Sequence, residues 1–119
     1  MLISGLYTME LLSHTETTCH YIVSFNPAHS IYAGHFPGQP VTPGVCLLEV
    51  ATELLTAATG IPLRLMGARQ VKFLQMHPPE RPLKFELSWF IEASQVLGRI
   101  TIFQNDSCIA KINAQFERT

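Results

Sequence analysis

The feature that most constrains this chain is an abrupt change at its centre, where a Gly/Pro-dense stretch runs directly into a long apolar one. Gly34, Pro37, Gly38, Pro40, Pro43 and Gly44 crowd a short interval. That spacing excludes both a helix and a central strand and predicts an ordered loop from Asn26 to Pro43. A helix should follow. Thr42 is placed to cap it, Pro43 suits the first helical position, where a missing N–H costs nothing, and Gly60 with Pro62 should end it near Thr59. Between these limits Val45, Cys46, Leu47, Leu48, Val50, Ala51, Leu54, Leu55, Ala57 and Ala58 cover most of the circumference, the pattern of an interior helix.

Strand signals surround this unit. Leu6 to Leu12 and Thr17 to Phe25 read as a pair joined by a polar turn, followed after the helix by Met66 to Leu74, Pro82 to Glu92, Val96 to Gln104 and Ser107 to Glu117. Leu83, Phe85, Leu87, Trp89 and Ile91 alternate with polar residues, so one sheet face should be buried, and Phe90 alone breaks the period. Asn105-Asp106 suits a tight hairpin. No internal repeat, low-complexity tract or linker divides the chain, and the element order predicts one α+β domain over residues 1–119, an antiparallel sheet around a single buried helix.

With 119 residues, such a domain buries only a modest core unless a partner surface covers part of it. Charged residues make up 14% and apolar ones 47%, a lean outer charge that points the same way. The net charge of −1 and the scattered Lys and Arg exclude a nucleic-acid footprint. Cys19, Cys46 and Cys108 have neither zinc spacing nor disulfide-scaffold density, and Cys46 is expected to be an inert packed thiol. His14, His20, His29 and His77 lack ligand spacing and are expected at the surface or in packing, so no metal is expected. No stretch has the length to cross a bilayer and the N-terminus lacks a basic head, from which a cytoplasmic protein without membrane contact is expected.

The chemistry concentrates on the helix and the loop before it. Glu49, Thr52, Glu53 and Thr56 fall on one helix face, and a carboxylate in an apolar interior must be paired, hydrogen-bonded or neutral. The alternative is that this face meets solvent or a subunit. His35 stands in the rigid loop close to the helix entrance, and the free N–H groups around Gly44 and Val45 could polarise a carbonyl oxygen.

The run Gly34-His35-Phe36-Pro37-Gly38-Gln39-Pro40-Val41-Thr42-Pro43-Gly44-Val45, followed by Leu47-Leu48-Glu49, resembles the signature of the bacterial 3-hydroxyacyl-acyl carrier protein dehydratases. That resemblance implies a hotdog fold, a curved antiparallel sheet wrapped around one long central helix. It also implies a homodimer or trimer of dimers with no metal and no organic cofactor. His35 matches the family's catalytic histidine and Glu49 its catalytic carboxylate, usually supplied by the other subunit. Glu at this position resembles the general branch rather than the isomerising one.

On that reading neutral His35 takes the proton next to the thioester carbonyl, N–H groups near Gly44 and Val45 hold the enolate oxygen, and protonated Glu49 delivers a proton to the leaving hydroxyl. Gly44, Val45, Phe36, Pro43 and Glu53 are the expected substrate-binding residues. The acyl group would arrive on acyl carrier protein or coenzyme A, in fatty acid or related biosynthesis, and Arg69, Lys72, Arg81 and Lys84 could meet an acidic carrier. Three features depart from the family: Glu53 where Gln is common, the lack of an N-terminal helix before Leu6, and the Met76 to Pro82 loop. A hotdog thioesterase and a non-catalytic acyl-carrier-binding subunit are the competing readings.

Overall fold

The computed structural model describes residues 5–34 and 38–119. Six strands, β1 (Tyr7–His14), β2 (Thr18–Phe25), β3 (Leu63–Phe73), β4 (Leu83–Glu92), β5 (Gln95–Gln104) and β6 (Ser107–Arg118), form a single antiparallel sheet in the order β1-β2-β4-β5-β6-β3. One helix, α1 (Gly44–Thr59), interrupts the strand sequence between β2 and β3. The burial expected of β4 holds for Leu83, Phe85, Leu87 and Trp89 and then stops: Ile91, on the same face, is exposed, as is Phe90 on the other. Phe73 is likewise half-exposed rather than core. Asn105 takes the left-handed φ of 53° in the β5–β6 hairpin, as its residue type allows.

One face of the sheet closes on α1. Cys46, Leu47, Val50, Ala51, Leu54 and Leu55 join Phe85, Leu87, Ile100, Ile102, Ile112 and Phe116 in one apolar cluster. The approach is close at Gly98, where a Cβ would stand 2.9 Å from the Phe116 ring and 3.1 Å from Leu55. Any side chain there would push the helix off β5. The helix is less fully buried than expected of an interior helix, because the apolar Val45 is 71% exposed and Ala57 is exposed.

The helix start also differs from expectation. Pro43, not Thr42, is the N-cap residue, in extended conformation and without a side-chain cap. Thr42 has another task, since its hydroxyl lies in a buried network described below. At the other end Gly60 adopts φ 71° and its N–H donates to the Thr56 carbonyl, the left-handed stop that its residue type favours. β3 begins at Leu63, three residues before the expected Met66, because the Leu63 N–H finds the Thr56 hydroxyl and Leu63 pairs with Arg118.

β3 is an edge strand, and register shifts between Leu65 and Gly67 and between Ala68 and Gln70 mark irregularities against β6. Leu65, Met66, Val71 and Phe73 along it, and Leu74 and Met76 beyond it, expose much of their apolar surface. A long edge of this kind presents unpaired backbone groups and apolar side chains together. Among the described residues no helix is long and apolar enough to cross a membrane.

Candidate functional site

The polar stripe on α1 resolves into two kinds of residue. Thr52 turns its hydroxyl back to the Leu48 carbonyl at 3.0 Å, and Thr56 accepts from the Leu63 N–H at 3.1 Å. Both threonines are satisfied by backbone. What remains is a pair of half-buried carboxyl groups, Glu49 and Glu53, one helical turn apart. This face therefore does not look onto open solvent.

Glu53 is held from β1. The Tyr7 hydroxyl donates to its Oε1 at 2.6 Å, while Oε2 is buried and meets no hydrogen-bond partner among the described residues. Burial, reinforced by the hydrogen bond and charge of Glu53, pushes the Tyr7 phenol well above its ordinary pKa, so it stays a donor. Nothing in the sequence flagged Tyr7: an aromatic residue opening a strand reads as packing. Glu49 lies nearer the helix start, and burial first, with the neighbouring Glu49 carboxyl second, raises the Cys46 thiol. Cys46 is buried and protonated, as expected of an inert thiol.

At the helix start the first bonds run from the Cys46 and Leu47 N–H groups to the Pro43 carbonyl. The N–H groups of Gly44 and Val45 precede them and have no acceptor within the helix. Glu49 follows Gly44 by about 7.5 Å of helix axis, within the span of one small acyl head group. Beside these donors lies the Phe73 ring, which a Cβ on Gly44 would approach to 2.7 Å. Phe73 therefore walls the helix entrance, a position its strand pattern did not announce.

Of the expected site residues, Pro43, Gly44, Val45 and Glu49 share the first half of α1 and its cap, and Glu53 follows Glu49 by one turn. His35 and Phe36 lie outside the described residues. A depression of about 370 Å³ lies elsewhere, on the strand face carrying Arg69, Ser88, Phe90, Arg99 and Asn113, and is lined by no helix residue. Arg69 is thus on the far surface from the carboxyl pair, whereas Lys84 lies in β4 and bonds Glu86 at 2.9 Å.

Comparison with known proteins bears on the fold and the family. The model of the ApeI-like family, described as ApeI dehydratase, matches residues 12–111, an interval that includes the Gly/Pro loop, α1 and β2 to β5. Among solved structures, the dehydratase heterocomplex ApeI:P from Xenorhabdus doucetiae is similar with a TM-score of 0.78 at 16% identity, covering 98% of this chain and 100% of that one. An uncharacterised protein from Erwinia carotovora gives 0.73 at 20% identity, with 95% and 97% covered. A hypothetical thioesterase from Streptococcus pneumoniae, solved with coenzyme A, gives 0.74 at 10% identity, with 99% and 91% covered. No curated protein sequence matches. At these identities the solved structures establish the architecture, a hotdog fold of six antiparallel strands and one long helix. The family match covers most of the chain, and on that ground the protein belongs to the ApeI-like dehydratase family.

Proposed function

We propose that the chain removes water from a 3-hydroxyacyl thioester to give a trans-2-enoyl thioester, with His35 as base and Glu49 as acid. The observation that carries this reading is the first half of α1. There the N–H groups of Gly44 and Val45, which have no acceptor within the helix, stand at its start and the half-buried Glu49 stands further along it, within the family's matched interval. Donors placed where an enolate oxygen develops lower the cost of removing the neighbouring proton. An acid near the β-carbon then lets hydroxide leave as water. The proton taken by His35 and the proton given by Glu49 balance the reaction.

The site is completed by a second copy. The apolar β3 edge supports this, because pairing two such edges would continue the sheet and cover Leu65, Met66, Val71 and Phe73. Phe73 touches the helix entrance, so the same assembly would close a crevice over it. In this reading the His35 of one copy serves the Glu49 of the other. The carrier is acyl carrier protein, with coenzyme A as the smaller alternative, and the product enters fatty acid or related acyl-chain synthesis. Phe36, Pro43 and Glu53 line the thioester's place.

A second reading, thioester hydrolysis, draws on the likeness to the hypothetical thioesterase solved with coenzyme A. One assay separates them. Crotonyl and 3-hydroxybutyryl thioesters of both carriers are incubated with the protein and followed by mass. Gain or loss of one water on the intact thioester is the expected result, and it should vanish in His35→Ala. Release of free acid without interconversion would establish hydrolysis instead, and no change in either mass would leave a binding subunit.

A further inference from the structure

Thr42 and His77 are deeply buried polar side chains, at 4% and 1% exposure. They belong to one chain of hydrogen bonds. The Tyr32 hydroxyl meets Thr42 Oγ1 at 2.8 Å, Thr42 Oγ1 meets His77 Nδ1 at 2.8 Å, and His77 Nε2 meets the Arg81 carbonyl at 2.5 Å. Its direction is fixed by its last member. A carbonyl oxygen only accepts, so Nε2 carries the imidazole hydrogen and Nδ1 of the neutral ring accepts. Thr42 must then donate to Nδ1, and Tyr32 must donate to Thr42. Desolvation lowers the His77 pKa and keeps the ring neutral, which this direction requires. The Phe25 ring packs edge-on against the imidazole, with centroids 5.1 Å apart.

The placement of this chain is what gives it meaning. Tyr32 closes a short 3-10 turn, Ser30–Tyr32, just before the Gly/Pro segment, and Thr42 stands just after it, immediately before the Pro43 cap of α1. Ten residues apart in sequence, the two side chains are in direct contact. The Thr42 N–H also donates to the His77 carbonyl at 2.9 Å, so the β3–β4 connection grips the same point twice. We infer that Tyr32, Thr42 and His77 are positioning residues that clamp both ends of the His35-bearing segment to each other and to the start of the helix carrying Glu49. Apolar residues of similar volume would fill the space without the desolvation cost, but they would not fix one geometry. The inference rests on the reading of His35 as the base.

The clamp is tested by removing single hydroxyls. Thr42→Val keeps the shape and Tyr32→Phe deletes one oxygen, whereas Thr42→Ser keeps the donor. Each is measured for turnover of 3-hydroxybutyryl carrier thioester beside His35→Ala, with thermal melting and hydrogen exchange of peptides covering residues 38–42. Expected are kcat values about 10- to 100-fold lower in Thr42→Val and Tyr32→Phe with KM nearly unchanged, faster exchange in that peptide, and recovery in Thr42→Ser. Wild-type kcat in both hydroxyl-deleted variants while His35→Ala is inactive would overturn the clamp alone. So would a Thr42→Ser variant as slow as Thr42→Val. Full turnover in His35→Ala would overturn the base assignment, and the clamp's catalytic meaning with it.

Discussion

Tyr32 and Tyr7 each donate to a side chain on or just before α1, and the two clusters they head differ in one respect. Around Tyr32 every hydrogen bond leads to another and the series ends on a backbone carbonyl, so no polar atom of Thr42 or His77 is left wanting. Around Tyr7 the series stops half-way: Glu53 Oε1 is served, but Oε2 is buried without a partner among the described residues. A closed network holds geometry, since every rearrangement breaks a bond. An open one retains hydrogen-bonding capacity, and here that capacity stands one helical turn from Glu49. On the proposed reading of the site, the difference separates a region that holds its geometry from the region where the thioester would bind.

The largest effect should come from the open region. Glu49→Gln should reduce kcat by about 10²- to 10⁴-fold with the fold intact, as expected for loss of a general acid. Circular dichroism and turnover together would check it, and a fully active variant would move the acid elsewhere. In the closed region the loss should fall on stability as well as on turnover, and the turnover loss should be the smaller of the two regions'. His77→Leu strands the Arg81 carbonyl and the Thr42 hydroxyl, at about 1–3 kcal/mol for each buried group. Urea denaturation at neutral pH should read that loss. Tyr7→Phe removes one donor and should destabilise by about 1–3 kcal/mol, less than His77→Leu. An equal or larger loss would contradict the contrast between the two clusters.

The smallest effect is one of pH. Burial holds the folded pKa of His77 below the ordinary 6.5, and the hydrogen bond to the Arg81 carbonyl and the charge of Glu80 offset this only in part. The unfolded chain therefore takes up the proton first as pH falls. Stability contributed by the neutral ring is present above about 6.5 and is lost as pH drops through the folded value. Melting temperatures between about pH 7 and pH 5 should fall more steeply for the wild type than for His77→Leu.

Much of this was legible in the chain itself, and the misses have physical causes. Local rules placed α1 to within a residue or two because Pro43 and Gly60 act on the backbone directly. The period of β4 was readable up to Trp89, where the core ends; beyond that point Phe90 and Ile91 are apolar for reasons no periodicity carries. Spacing put Glu49 on the polar stripe of α1, whereas the hotdog arrangement and the role given to Glu49 came from a motif resemblance. Thr42 was misassigned as the cap because its hydroxyl was claimed by two residues distant in sequence, Tyr32 and His77. Tyr7, His77 and Phe73 could not be singled out for the same reason. Their partners are brought near only by the fold.

The account depends most on two copies sharing one site, and mixing inactive variants tests it directly. His35→Ala and Glu49→Gln, each unable to turn over 3-hydroxybutyryl carrier thioester alone, are combined under conditions that allow subunits to exchange. The account predicts that turnover returns, because hybrid pairs contain one intact His35 facing one intact Glu49. A mixture that exchanges subunits, as followed by native mass, yet stays inactive would contradict it.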